Sequence, residues 1–463
     1  MATLIEQHPL YTQLPVGQDV IFAVSNTSVV SSFTNVKFIA EVHISSTFAP
    51  NTAVANDVVG TFKTTPNNTG VGMFDFRPVI ESFVNADNLA RQGSSYKTVV
   101  NTSDTNVPIH LIDKYSGNVN SMRYLVIQFK VEYIDAITGN LVTTGIVNSN
   151  LYQLFNGYLK HTDILDLVGV DFGYNLSNFN LSSSTDSFLS NAPATQYANL
   201  DDYGTVSILD TNDELHYIKL TYKDSTGTQI GTENIFKTSA NGAFDSYNGY
   251  IGMNLIFFGC FPANLRNDNT SIFAGLVTGG TIQGGTIEVT AFNDQIGGQI
   301  SQKYIINLNC PTLKGFEPIR LTWLNQWGTW DYYTFKMKST KTISTKGSTY
   351  QQLAGSWNES AYRLDSFKGG KKSFRVNATE KITMNTDFVN ESESEWFEEL
   401  INSPEVYILK GYQSETIFTA LNQYVTPVRL TTSSYTKKTV ANDRLMQYTF
   451  EVEKSKTLRT QAV

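Results

Sequence analysis

From Pro318 to Phe335 the sequence runs PIRLTWLNQWGTWDYYTF, and its alternation dictates two short strands joined by a turn. Ile319, Leu321 and Trp323 alternate with Arg320 and Thr322; Tyr333, Phe335 and Met337 alternate with Thr334 and Lys336. A period of two lays one row of side chains on each face of a sheet. Between the runs stands Asn325-Gln326-Trp327-Gly328, where the glycine accepts the positive φ of a tight return. Three of the chain's five tryptophans, Trp323, Trp327 and Trp330, fall in this stretch. Rings that large anchor either a hydrophobic core or an aromatic contact surface for a protein or a sugar, and both readings stand at this point.

Composition extends the β reading to the whole chain. Aromatic residues make up 12 % of 463, and Thr, Val and Gly are plentiful, a mixture that favours pleated sheets. The expected fold class is mainly β: several consecutive β-sandwich or barrel-like domains with few short helices. Charged residues reach only 16 %, below the usual quarter, and Asn, Ser and Thr fill the polar role. Weakly charged, aromatic-rich surfaces suit assembly, because such a face meets another protein without stranding a buried charge. The net charge of −8 is uneven: 16 Lys+Arg against 28 Asp+Glu up to Phe335, then 18 against 14 from Lys336 onward. That split suits head-to-tail contact between acidic and basic faces of neighbouring subunits. Lys371-Lys372 and Lys437-Lys438 are isolated pairs, so no nucleic-acid partner is expected.

Local patterns divide the chain into 1–165, 166–316 and 317–463. In the first, Val36 to Ile44 and Leu125 to Tyr133 alternate as half-buried strands; Thr61 to Gly70 reads as loop, and Arg77 to Val84 as a short helix with Pro78 in its first turn. Asn150 to Val168 reads as a helical link. In the second, Asn175 to Asn199 reads as a long Ser/Asn-rich loop or an arm that orders against a neighbour, and Leu215–Tyr222 with Gln229–Phe236 as a hairpin. In the third, Glu391 to Asn402 predicts a helix with a capping box from Ser392 and Glu395 and an apolar stripe of Trp396, Phe397, Leu400 and Ile401.

Motifs for chemistry are sparse. His8, His43, His110, His161 and His216 stand in separate contexts, with no HExxH, GxSxG or phosphate-cradling glycine loop, so no metal site, catalytic residue or cofactor is expected. The best acidic groups are Asp201-Asp202 and the run from Asp210 to Glu214, which lacks the order of a calcium loop. For a glycosidase, Asp331 between Trp330 and Tyr332 is the one acid to name. Cys260 and Cys310 read as buried thiols. The first residues carry no secretory pattern, and no apolar run is long enough to span a membrane.

Trp323-Leu324-Asn325-Gln326-Trp327-Gly328, then Asp331-Tyr332-Tyr333-Thr334-Phe335, then a Ser/Thr/Lys-rich stretch, resembles a segment of virion structural proteins of tailed bacteriophages, of tail, neck or baseplate type, including proteins of crAss-like phages and relatives. The block from Trp396 to Ile401, followed by Val406-Tyr407-Ile408, resembles the same domain type. The likeness covers the last third of the chain. It implies location in the virion, after synthesis in host cytoplasm, and a non-enzymatic subunit assembling into a homo-oligomeric ring with copies of itself and other virion proteins. The expected assembly residues are Trp323, Trp327, Trp330, Tyr332, Tyr333 and Trp396. The alternative is a receptor- or glycan-binding protein at a fibre or baseplate tip, with a host surface glycan as partner.

Overall fold

A computed structural model describes residues 2–46, 58–90, 107–160, 163, 166–210, 213–237, 254–267, 272–293, 298–309, 315–358, 360–412, 424–432, 434 and 446–456. Over these residues the fold is mainly β, with several separate sheets and few short helices; no sheet closes into a barrel. The sheets end instead in edge strands, among them Gln13–Pro15, whose proline cannot donate to a further strand. The chain divides into two compact units. The first comprises Met1–Cys310, Leu324–Asp331 and Gly411–Leu421; the second comprises Pro311–Trp323, Tyr332–Lys410 and Asn422–Val463.

In the first unit a three-stranded sheet (Leu4–Gln7, Ile21–Ser25, Val71–Asp75) shares a core with a seven-stranded sheet. The centre of the larger sheet is Thr34–Ser45 against Met122–Ile134, antiparallel, with Phe38 opposite Val131, Ala40 opposite Phe129 and Val42 opposite Ile127. All six of these side chains are buried, as the alternation requires. Phe22, from the smaller sheet, stands 5.5 Å from Phe129 and edge-on to Tyr152 at 5.8 Å. Burying each such ring contributes about 1.5–3 kcal/mol. Gly72 lets the two layers meet, because a Cβ there would overlap the Phe38 ring. Buried Asp87 accepts the backbone N–H groups of Val119, Asn120 and Ser121 and the Ser121 hydroxyl. Burial outweighs these donors and holds its pKa above the usual carboxylate value.

The remainder of this unit holds a six-stranded sheet (including Tyr217–Lys223, Gln229–Phe236, Thr286–Asn293 and Tyr304–Leu308) and a three-stranded one made of Thr205–Asp210, Asn254–Gly259 and Tyr115–Gly117. The last sheet takes strands from both sides of residue 165. The Tyr115 hydroxyl fastens it to its neighbour, donating to the Ile235 carbonyl (2.6 Å) and accepting the Ile218 N–H (3.0 Å).

Several local expectations change. The stretch from Asn150 to Val168 does not form the expected helical link: Tyr152–Phe155 is a strand, parallel to Gln13–Pro15 and antiparallel to Met122–Leu125, and among the described residues only Asp163 sits in a single 3-10 turn, its N–H bonded to the Lys160 carbonyl. Tyr152 and Leu154 face inward and Gln153 less so, a period of two too short to tell from a helical turn in sequence. Thr61 to Thr64 belong to the strand Val58–Thr64 rather than to a loop. The Ser/Asn-rich segment folds on its own unit, with Leu181 and Leu189 buried and Leu189 N–H bonded to the Ser207 carbonyl.

A sheet of seven strands, all of it but Leu324, Trp330 and Asp331 in the second unit, runs in the order Trp330–Phe335, Ile319–Leu324, Val406–Leu409, Val425–Leu430, Thr449–Lys454, Gly370–Asn385, Ser339–Gln352. The helix Glu391–Asn402 forms as expected, but its capping box lies two residues earlier: the Asn390 side chain accepts the Glu393 N–H, and Glu393 accepts the Asn390 N–H. Ser392 is already inside the first turn, where it donates to Asn390. The buried Trp396, Phe397 and Leu400 line the inner face, with Phe397 5.6 Å from Phe450.

Candidate interaction surface

The six aromatic residues singled out in the sequence are placed in two interiors. In the second unit, Trp323 is fully buried with its ring 4.9 Å from that of Trp396, which is also buried. Tyr332 is buried 5.3 Å from the Arg320 guanidinium, and Arg320 donates to Thr334 (3.0 Å). Tyr333 is half-buried, edge-on to Phe397 at 4.9 Å, and its hydroxyl accepts the Asp387 N–H; burial pushes this phenol's pKa up.

In the first unit, Trp327 lies between Tyr174 and Phe179, at 5.2 and 5.1 Å, and donates from Nε1 to Asn191 Oδ1. Trp330 donates from Nε1 to the Asp87 carbonyl (2.8 Å) and meets the buried His110 ring edge-on at 4.8 Å. Burial lowers the His110 pKa to about 3, so the imidazole stays neutral. Gly328 turns the chain with φ +72°, and a Cβ there would overlap the Asn156 carbonyl. These rings fill cores, and a sugar has no open ring face at Trp327 or Trp330, each 2 % exposed.

The acids that chemistry would need are engaged in holding structure. Asp331 is buried, accepting Ser190 Oγ (2.6 Å) and Asn325 Nδ2 (3.1 Å). Asp201 pairs with Arg266, whose guanidinium lies 4.0 Å from the Tyr412 ring. Asp202 accepts the Asn199 N–H, and Glu214 accepts Asn293 Nδ2. Asp210 is fully buried against Lys237 Nζ (2.7 Å), which also reaches Asp213 (2.6 Å). Burial pulls the Lys237 pKa down, but these two carboxylates prevail and raise it. Among the described residues no group of three His, Cys, Asp or Glu is arranged to hold a metal, and no helix is long and apolar enough to cross a membrane. Cys260 is buried; His161 and Cys310 lie outside the described residues.

The surface that stands out lies in the stretch that the sequence marks only as rich in Ser, Thr and Lys. Ser339–Gln352 pairs along its length with Gly370–Asn385, but only Lys381–Asn385 continue to the strand Thr449–Lys454. Ile343–Gln352 and Gly370–Glu380 therefore form a two-stranded arm beyond the sheet, roughly 33 Å long at the usual strand rise. Gly355–Asn358 and Ala361–Leu364 make a small hairpin at its end. Opposed pairs set its two faces: Lys346 with Asn377, Ser348 with Arg375 and Tyr350 with Lys372 on one; Ile343 with Glu380, Thr345 with Ala378 and Gly347 with Val376 on the other. Large apolar side chains crowd the tip: Leu353 (75 % exposed), Trp357 (71 %), Leu364 (77 %) and Phe367 (72 %). Trp357 stands directly across from Tyr362. The available signal was the β-branched Thr340, Thr342, Ile343 and Thr345 in a run without proline. Compared with known protein families and with curated proteins, the chain matches none.

Proposed function

We propose that this chain is a non-enzymatic structural protein of a tailed-phage virion, a subunit of a tail, neck or baseplate ring that works through contacts with its own copies and other virion proteins. One observation carries the reading. The arm holds four large apolar side chains more than two-thirds exposed within a dozen or so residues of its tip, a density that soluble surfaces reserve for contact. The engagement of Asp201, Asp202, Asp210 and Asp331 in structural bonds agrees with it, as does the resemblance of the hairpin segment to virion proteins. Light scattering and negative-stain images of the purified protein test the reading: association into a ring is expected. A protein monomeric at every concentration, and missing from particles, would refute it.

A second reading, a glycan-binding tip protein, draws on the exposed Trp357–Tyr362 pair, which has the open ring faces that Trp327 and Trp330 lack. Glycan-array binding that disappears in Trp357→Ala would favour it.

A further inference from the structure

We infer that the arm docks on the acidic first unit of a second copy of this chain, basic face and apolar tip together, in a head-to-tail contact. The inference rests on the assembly reading above and specifies its contact.

Charge selects the occupant. From Ser339 to Asn385 the sequence has eight Lys or Arg against three Asp or Glu, a balance of +5. Residues of the first unit carry 14 Lys+Arg against 28 Asp+Glu, a balance of −14. Ion pairs near the base of the arm join Lys341 to Glu317, Lys381 to Glu451 and Lys454 to Glu380. Farther out, Lys346, Arg363, Lys371, Lys372 and Arg375 have no ion pair among the described residues. A carboxylate-rich surface satisfies these cations, and contact there excludes water from the apolar tip.

The open edge of Ser339–Gln352 offers a competing arrangement, two arms zipped edge to edge. That pairing sets the Lys341 and Lys346 edge against its own copy and brings two +5 ribbons together, which like-charge repulsion disfavours. A basic arm on an acidic body joins two different surfaces. Such a heterologous contact closes into a ring when its rotation divides a full turn.

Zero-length carbodiimide coupling of full-length protein, mixed from isotopically light and heavy preparations, tests this. Mixed-isotope links are expected from Lys346, Lys371 or Lys372 to carboxylates of residues 1–310. Trp357→Ser/Leu364→Ser and Lys346→Glu/Lys372→Glu/Arg375→Glu should each weaken self-association at least about tenfold, as loss of a central aromatic or charged anchor does. Raising salt well above physiological ionic strength should weaken the wild type similarly. Lys346, Trp357, Leu364 and Arg375 are exposed and Lys372 is half-buried, its Nζ donating to the Phe367 carbonyl; unchanged thermal unfolding verifies the fold. Association unaffected by both variants overturns the inference and leaves the assembly reading intact; so do links from arm to arm or links confined to one isotope. A monomeric wild type overturns both, and anionic-vesicle binding lost in the variants would then assign the arm to a membrane surface.

Discussion

His110 gives the fold a pH dependence that is open to direct measurement. Its ring is 1 % exposed and packs edge-on against Trp330, and its pKa falls from 6.5 to about 3 because burial penalises the charged form. The unfolded chain therefore binds a proton near pH 6.5 that the folded chain refuses until about pH 3. Above pH 6.5 this residue costs nothing; below it, stability falls with each pH unit by about 1.4 kcal/mol, levelling off near pH 3. At pH 4.5 the loss amounts to about 2.5 kcal/mol relative to pH 7.5. His110→Gln removes the titrating group while keeping a polar side chain of similar reach. Urea unfolding at the two pH values, followed by tryptophan emission, should show the variant losing about 2.5 kcal/mol less than wild type on acidification. The carboxylates and remaining histidines are common to both proteins and cancel. Equal losses would refute the assignment of a neutral, proton-refusing imidazole.

Four further outcomes follow from packing. Gly328→Ala places a methyl group into the Asn156 carbonyl at a positive φ and should destabilise the first unit by about 1–3 kcal/mol from backbone strain alone, read as a lower thermal midpoint. Lys237→Met strips the buried Asp210 of its ion-pair partner, a loss of about 3–5 kcal/mol in urea unfolding at pH 7. Asp331→Asn turns an acceptor of Ser190 and Asn325 into a partial donor and should destabilise by about 1–3 kcal/mol, measured by calorimetry. Asn390→Ala removes the cap of the helix Glu391–Asn402 and should cost about 1 kcal/mol, visible as faster amide exchange in its first turn.

The strands legible in sequence are those whose inner row is apolar throughout and whose outer row carries charge. Val36 to Ile44 alternates because its inner row meets Phe129 and Val131 while Lys37 and Glu41 reach solvent or partial cover. Leu125 to Tyr133 is readable for the same reason. Tyr152–Phe155 reads as helical because four residues hold too few repeats to separate a strand from a helical turn. The arm is silent in sequence for a different reason: Ser339–Gln352 is exposed on both faces, so burial imposes no alternation on its residues. The tryptophan hairpin was conspicuous by composition, yet nothing local distinguishes rings that fill an interior from rings that face out. That distinction arises from distant partners, Tyr174 and Phe179 for Trp327, Asp87 and His110 for Trp330.

The return of Leu324–Asp331 to the first unit bears on how the protein matures and how it is dissected. A fragment ending at Cys310 lacks Trp327 and Trp330, so Tyr174, Phe179 and His110 would face voids instead of indole rings. No single backbone cut yields both units whole. During synthesis, the amino-terminal two-thirds must wait for the ribosome to release the tryptophan loop before its interior is complete.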